Sequence, residues 1–380
     1  MKKLVLFALL ATPVCAARAW DSSATKFEAV PQGEAQEITE MVDLTHKLLE
    51  QRYGGSAGET MARRAVHPKA HGCVKADFTV NQDLPEKYRV GLFATPGKSY
   101  KAWVRFSNAT AIVRPDVNDN RADSRGMAIK VMGVEGETLM NEPGGKTQDF
   151  LLINQPMFAF PNVHEYLEFT RIQFANKEDV RPFFAPQTLT DARKKIGGIV
   201  QKIATMHIAN PLDAPYFSAS AFLLGPENAA KFAARPRGAP ANPSLPDRTP
   251  TDYLREAMKK SLSITEGSPV VFDFQIQLRP DGLSPTDADY PIESANDEWK
   301  PKGDGTAAYQ NVATITIRPQ DFDTPLQNTE CEHLVFTPWH GLTAHQPLGG
   351  INRLRREVYI ASSRHRADHR EPTDYPKWPF

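Results

Sequence analysis

Near the C-terminus, the stretch INRLRREVYIASSRHR has the spacing of a helix that carries Arg355, Tyr359, Ser362 and Arg366 along one stripe. At about 100° per residue, Tyr359 falls roughly 40° from Arg355, and Arg366 roughly 20° from Tyr359. A helix that only covered a core would place Leu or Val there. Two guanidinium groups buried without partners would cost several kcal/mol. The stripe therefore demands an anionic neighbour, and the fold has to be built around that demand. A phenolate on iron at Tyr359, kept charged by Arg355 one turn away while Arg366 reaches a carboxylate, would meet it. An amphipathic surface helix with a half-buried tyrosine is the plainer alternative, and the rest of the chain decides between them.

The other segments read as β-rich, then helical, then β-rich again, before this closing helix. GCVKADFTV at 72–80 alternates Val74, Ala76, Phe78 and Val80 against Lys75, Asp77 and Thr79. Strands are also expected at 100–107, 126–133, 149–154, 270–278 and 311–317. Asn162 with Glu165 marks a capped helix start running to about Asn176. Further helices are expected near 190–206 and 251–262, separated by the Pro-rich loop 235–250. Ile38, Met41, Val42, Leu44 and Leu48 give residues 20–60 the pattern of a helical arm. The order implies an α+β domain over 61–367 around an antiparallel sheet or barrel, with an exposed tail at 368–380.

Bulk properties narrow the function. Lys2 and Lys3, the apolar run from Leu4 to Ala11 and the close at Ala17-Arg18-Ala19 read as a secretory signal over 1–19, so the mature protein is expected in the periplasm or outside the cell. With 45 basic and 45 acidic residues, nucleic acid or an anionic membrane is not an expected partner, and no later segment is apolar enough to span a bilayer. Oligomeric state is not readable. Outside the signal only Cys73 and Cys331 remain; an oxidising compartment permits a disulfide, and two buried thiols are equally compatible with the sequence.

Several short motifs supply a complement to the tyrosine helix. Residues 62–69, ARRAVHPK, offer Arg64 and His67; VRFSN at 104–108 offers Arg105 and Ser107. SRGMAIKV at 124–131 turns into an apolar strand, and Phe160-Pro161 stands just before a helix. In this order and spacing the chain resembles the haem catalases. Val66-His67-Pro68-Lys69 is similar to the family's V-H-A-K, Arg105-Phe106-Ser107 to its R-F-S, and Arg125-Gly126-Met127-Ala128-Ile129-Lys130 to its R-G-F-A-V-K. Arg355-x3-Tyr359-x6-Arg366 fits its proximal signature, and 272–299, 312–322 and Phe336-x-Pro338-Trp339 resemble its smaller catalase-like members.

The resemblance implies a catalase-like antiparallel β-barrel with surrounding helices and a C-terminal proximal haem helix. It implies haem b, with Tyr359 as the iron ligand and Arg355 favouring its phenolate. Arg64, Arg105 and Arg366 would pair with the propionates, since arginine binds carboxylates bidentately. His67 would be the distal general base, oriented by Ser107, and Phe160 would stack on the macrocycle. Two positions depart from the family. Its distal asparagine has no counterpart in 144–149, where Gln148 is the available substitute, and Ala361 stands where the family has Asp. The expected activity is reduction of hydrogen peroxide or small organic hydroperoxides, with an external electron donor as a further partner. A fatty-acid hydroperoxide-converting enzyme and a non-enzymatic haem-binding protein are the alternatives. His365 and His369 are expected on a solvated face.

Overall fold

The computed structural model describes residues 25–53, 62–116, 123–140, 146–238 and 251–368. The signal segment, most of the Pro-rich loop and the tail, including His369, lie outside them.

Eight strands close into an antiparallel barrel. They are β1 (Ala70–Val80), β2 (Ser99–Asn108), β3 (Arg125–Met132), β4 (Thr147–Ile153), β5 (Tyr216–Phe217), β7 (Asn228–Pro236), β8 (Val270–Leu278) and β9 (Tyr309–Ile317), while β6 (Phe222–Leu224) flanks β7. Pairing of β5 with both β4 and β7, and of β1 with β9, leaves no open edge among the eight. Alternation decides which side chains point inward. Val74, Ala76, Phe78 and Val80 of β1 enter a core that also holds Phe93, Phe150, Phe232 and Phe274. His345 sits among these rings, 5.4 Å from Phe93 between centroids, and accepts a hydrogen bond from the Leu92 amide (3.1 Å). Burial holds its imidazole neutral, with a pKa brought down to about 4.

Among the described residues, six α-helices surround the barrel: α1 (Glu34–Tyr53), α2 (Val163–Ala175), α3 (Asp191–Ala204), α4 (Tyr253–Ser261), α5 (Pro325–His333) and α6 (Gly350–Asp368). Asn162 caps α2 as its sequence implies, accepting from the Glu165 amide at 3.0 Å. The segment read as an arm, α1, packs on α2 and α6 through Met41, Leu44, Val163, Leu167 and Leu354. Buried Arg353 locks the start of α6 to Glu34 (2.5 Å) and Glu293 (2.8 Å), with Glu28 completing the cluster.

One long strand was not expected, and two expectations need correction. β7 begins with NAAKFAAR, whose alanines favour a helix when read alone; closure of the barrel overrides that propensity. Its end at Arg235-Pro236 also takes two residues from the expected loop. His365 is buried at 5% exposure, because the last turns of α6 still face protein. The cysteine question is settled: Cys73 and Cys331 form a disulfide with Cα atoms 5.9 Å apart.

Candidate active site

One cavity of about 440 Å³, within the usual size range of small-molecule sites, opens between the barrel and α1, α2 and α6. Arg64, His67, Arg105, Ser107, Phe160, Arg355, Tyr359, Ser362 and Arg366 all line it. Eight of the nine site residues expected from sequence, and Ser362 of the same helix stripe, thus converge, although their segments are hundreds of positions apart.

His67 is held by an unusual backbone. Its φ of 58° is left-handed, which costs a non-glycine residue of order 1–3 kcal/mol unless neighbours enforce it. Three contacts do so: the His67 amide donates to Ala109 O (3.4 Å), Arg105 donates to His67 O (2.9 Å), and Nδ1 pairs with Ser107 Oγ (3.0 Å). One residue pair earlier, the Ala65 amide donates to Ser362 Oγ (3.1 Å), tying this segment to α6. Behind the ring, Gly126 of β3 leaves the necessary space; a Cβ there would lie 2.6 Å from His67 Nδ1. Desolvation, then the charges of Arg105, Arg355 and Arg64, bring the His67 pKa down to about 3, so the imidazole is neutral at ordinary pH. His71, four residues along, bonds Asn108 Oδ1 (2.8 Å) in a separate buried network.

On α6 the polar stripe faces the cavity as its spacing implies. The Arg355 guanidinium lies 5.5 Å from the Tyr359 ring centre and donates to Asn352 Oδ1 (3.1 Å). Phe160 stacks on Tyr166 of α2, with centroids 4.6 Å apart and planes 13° apart. Tyr166 is a lining residue that sequence reasoning missed; no motif marks it. Burial and the nearby Tyr359 raise its pKa to about 12, keeping it protonated.

The arginines are arranged differently from expectation. Arg64 bonds Glu332 (2.5 Å) through one terminal nitrogen and the carbonyls of Cys331 (3.0 Å) and Leu334 (2.8 Å) through the other. Arg105 lies 3.6 Å from the same carboxylate, and Arg366 donates to the Glu332 carbonyl (2.8 Å). Sequence reasoning missed Glu332 as well; its one visible signal is that it follows Cys331.

Gln148 is the ninth expected residue, and it does not line the cavity. It pairs with Val131, whereas the cavity borders β3 and β4 from Ala128–Leu151 to Gly126–Ile153. At about 3.3 Å per residue, a three-residue offset is about 10 Å. Its Oε1 instead accepts from the Leu342 amide (2.9 Å). Met127, Ala128, Leu151 and Phe336 make this part of the wall apolar.

The cavity fits a tyrosinate-ligated haem. A phenol stands on the stripe beside a guanidinium, four arginines besides the Glu178-paired Arg52 offer charge for two carboxylates, and buried Arg105 Nε has no hydrogen-bond partner among the described residues. A family model described as Catalase matches residues 38–182. The fold agrees over most of the chain. A fungal catalase superposes with a TM-score of 0.62 at 15% identity, covering 80% of this chain and 59% of that one. Residues 38–182 thus carry a Catalase domain match, and the fold is that of the catalases. A bacterial catalase (TM-score 0.60, 17% identity, 93% and 65% coverage) and catalase A from Saccharomyces cerevisiae (0.59, 17%, 80% and 61%) share the same architecture. The chain spans about three-fifths of the length of those catalases. No curated protein matches the sequence.

Proposed function

We propose that the protein is a haem-dependent hydroperoxidase acting on hydrogen peroxide or small organic hydroperoxides. One observation carries the reading: the His67–Ser107 pair and the Arg355–Tyr359 pair line a single cavity. Tyr359 would bind the iron, and the bound haem would supply the redox centre at which the O–O bond breaks. The protein's part is to move protons and exclude water. Because Nδ1 of His67 is engaged with Ser107, Nε2 is the atom left to take the proton of an incoming hydroperoxide and return it to the departing oxygen. A neutral imidazole can accept that proton across the whole neutral range. An external electron donor would restore the resting state.

The apolar wall supports organic hydroperoxides as the better substrates. Where an amide would hold a second water-like oxygen, Leu151 and Phe336 offer only hydrocarbon, and Val200, also a lining residue, is 39% exposed. The disulfide and the N-terminal sequence together support a periplasmic or secreted location. The deciding experiment loads the purified protein with haem, records its absorption spectrum and follows consumption of hydrogen peroxide and an alkyl hydroperoxide. A tyrosinate-type spectrum with turnover lost in His67→Ala is expected. A haem complex inert to both peroxides would leave only the binding-protein alternative.

A further inference from the structure

Resting on the haem reading, we propose that Glu332 is a positioning carboxylate for the acidic edge of the porphyrin: anchored by the Cys73–Cys331 disulfide, it holds Arg64 and Arg105 paired and oriented on the cavity wall. The contacts form a closed circuit. Arg105 of β2 is the register partner of Cys73 on β1; Cys73 is bonded to Cys331 on α5; the next residue, Glu332, returns its carboxylate to within 3.6 Å of Arg105 and 2.5 Å of Arg64. Arg366 arrives from α6 to bond the Glu332 carbonyl. Three lining arginines from three separate segments therefore meet at one residue that does not itself line the cavity.

Charge explains why a carboxylate is needed there. Arg105 is buried, and desolvation together with Arg64 brings its pKa down to about 9, with Glu332 opposing the fall. Burial would raise the Glu332 carboxyl, yet Arg64, Arg105, Arg366 and Arg63 hold it near 2, so it is ionised at any ordinary pH. The guanidinium groups of Arg64, Arg105 and Arg366 crowd together at this end of the cavity, and Glu332 offsets their mutual repulsion. Standing behind the guanidinium groups, it can do this without occupying the ligand's place. Both cysteines are buried at 2% exposure, which suits the disulfide to a fixed anchor rather than a labile switch.

The test is transfer of haem from the ferric protein to excess apomyoglobin with no peroxide present. Glu332→Gln keeps the shape but removes the charge, and should lose haem about tenfold faster, equivalent to about 1.4 kcal/mol. Glu332→Asp should restore most of the retention. The double variant Cys73→Ala/Cys331→Ala should also lose haem faster, and adding Glu332→Gln to it should have a smaller effect than in the parent, because both changes act on one element. Retention unchanged in Glu332→Gln, or equally poor in Glu332→Asp, overturns the proposal. Should Glu332→Gln fail to fold, the cysteine double variant decides: unchanged retention overturns it. A parent that takes up no haem overturns both this and the functional reading, whereas one that holds haem but ignores peroxide overturns only the latter.

Discussion

Replacing Gly126 with Ala should disable the site while leaving the fold and haem uptake intact. An added Cβ would lie 2.6 Å from His67 Nδ1, 2.7 Å from its Cε1 and 2.9 Å from Ser107 Oγ. Ordinary contact begins near 3.4 Å, so something has to move by about 0.8 Å. The strand cannot yield, because Gly126 is paired with Ser107 on one side and Ile153 on the other. Its backbone is not in the left-handed region, so alanine brings no conformational strain of its own. The imidazole must therefore swing away, stretching its 3.0 Å bond to Ser107. A misplacement of about 1 Å at a reacting group costs about 100-fold in rate, so kcat for peroxide consumption should fall by that order. Haem content and the tyrosinate spectrum should be unchanged, since Tyr359 and Arg355 belong to α6 and do not touch Gly126. Full activity in this variant would refute the assignment of His67 as base. Loss of haem in parallel with activity would show instead that the cavity collapsed.

Other perturbations address separate parts of the structure. Tyr359→Phe should abolish the tyrosinate-type absorption of the loaded protein, and persistence of that band would move the ligand elsewhere. His67, His71 and His345 stay neutral in the native state until about pH 3, 3 and 4, whereas an unfolded histidine takes up its proton near 6.5. The unfolded chain then binds more protons, so stability should be full above about pH 6.5 and fall as pH drops toward 4, read as the urea midpoint. His67→Ala should make that slope shallower. Arg353→Met strips three carboxylates, Glu28, Glu34 and Glu293, of a shared buried cation; a loss of about 3–5 kcal/mol is expected in urea unfolding.

What could be read from sequence was whatever local chemistry made unavoidable. Arg355, Tyr359, Ser362 and Arg366 were legible because helical spacing fixes which residues share a face, and no core accepts that set unaided. Strand β1 showed itself by alternation, and β2 to β4 as short strand-like runs between turn signals. β7 did not, since Ala229, Ala230, Ala233 and Ala234 carry no β preference and are placed by closure of the barrel. Gln148 illustrates another limit. Its position relative to the family's motif suggested a substitute amide, yet a strand displaces its residues steadily along its length, and three positions were enough to carry this one out of the cavity.

The arginines carry the deeper lesson about partners. The resemblance assigned Arg64, Arg105 and Arg366 to the propionates of a bound haem, and nothing in the sequence pointed to an internal partner. Glu332 was invisible for a physical reason: a carboxylate on a short, Pro-started helix acquires its meaning only when a disulfide 258 residues long in sequence brings it back to β1. Once there, it changes what the cluster can bind. Unbalanced, the arginines would repel one another and Arg105 would shed its proton more readily. With Glu332 behind them, they remain charged at a protein–cavity boundary. A positively charged site of this kind can wait for an acidic ligand without first having to assemble around it.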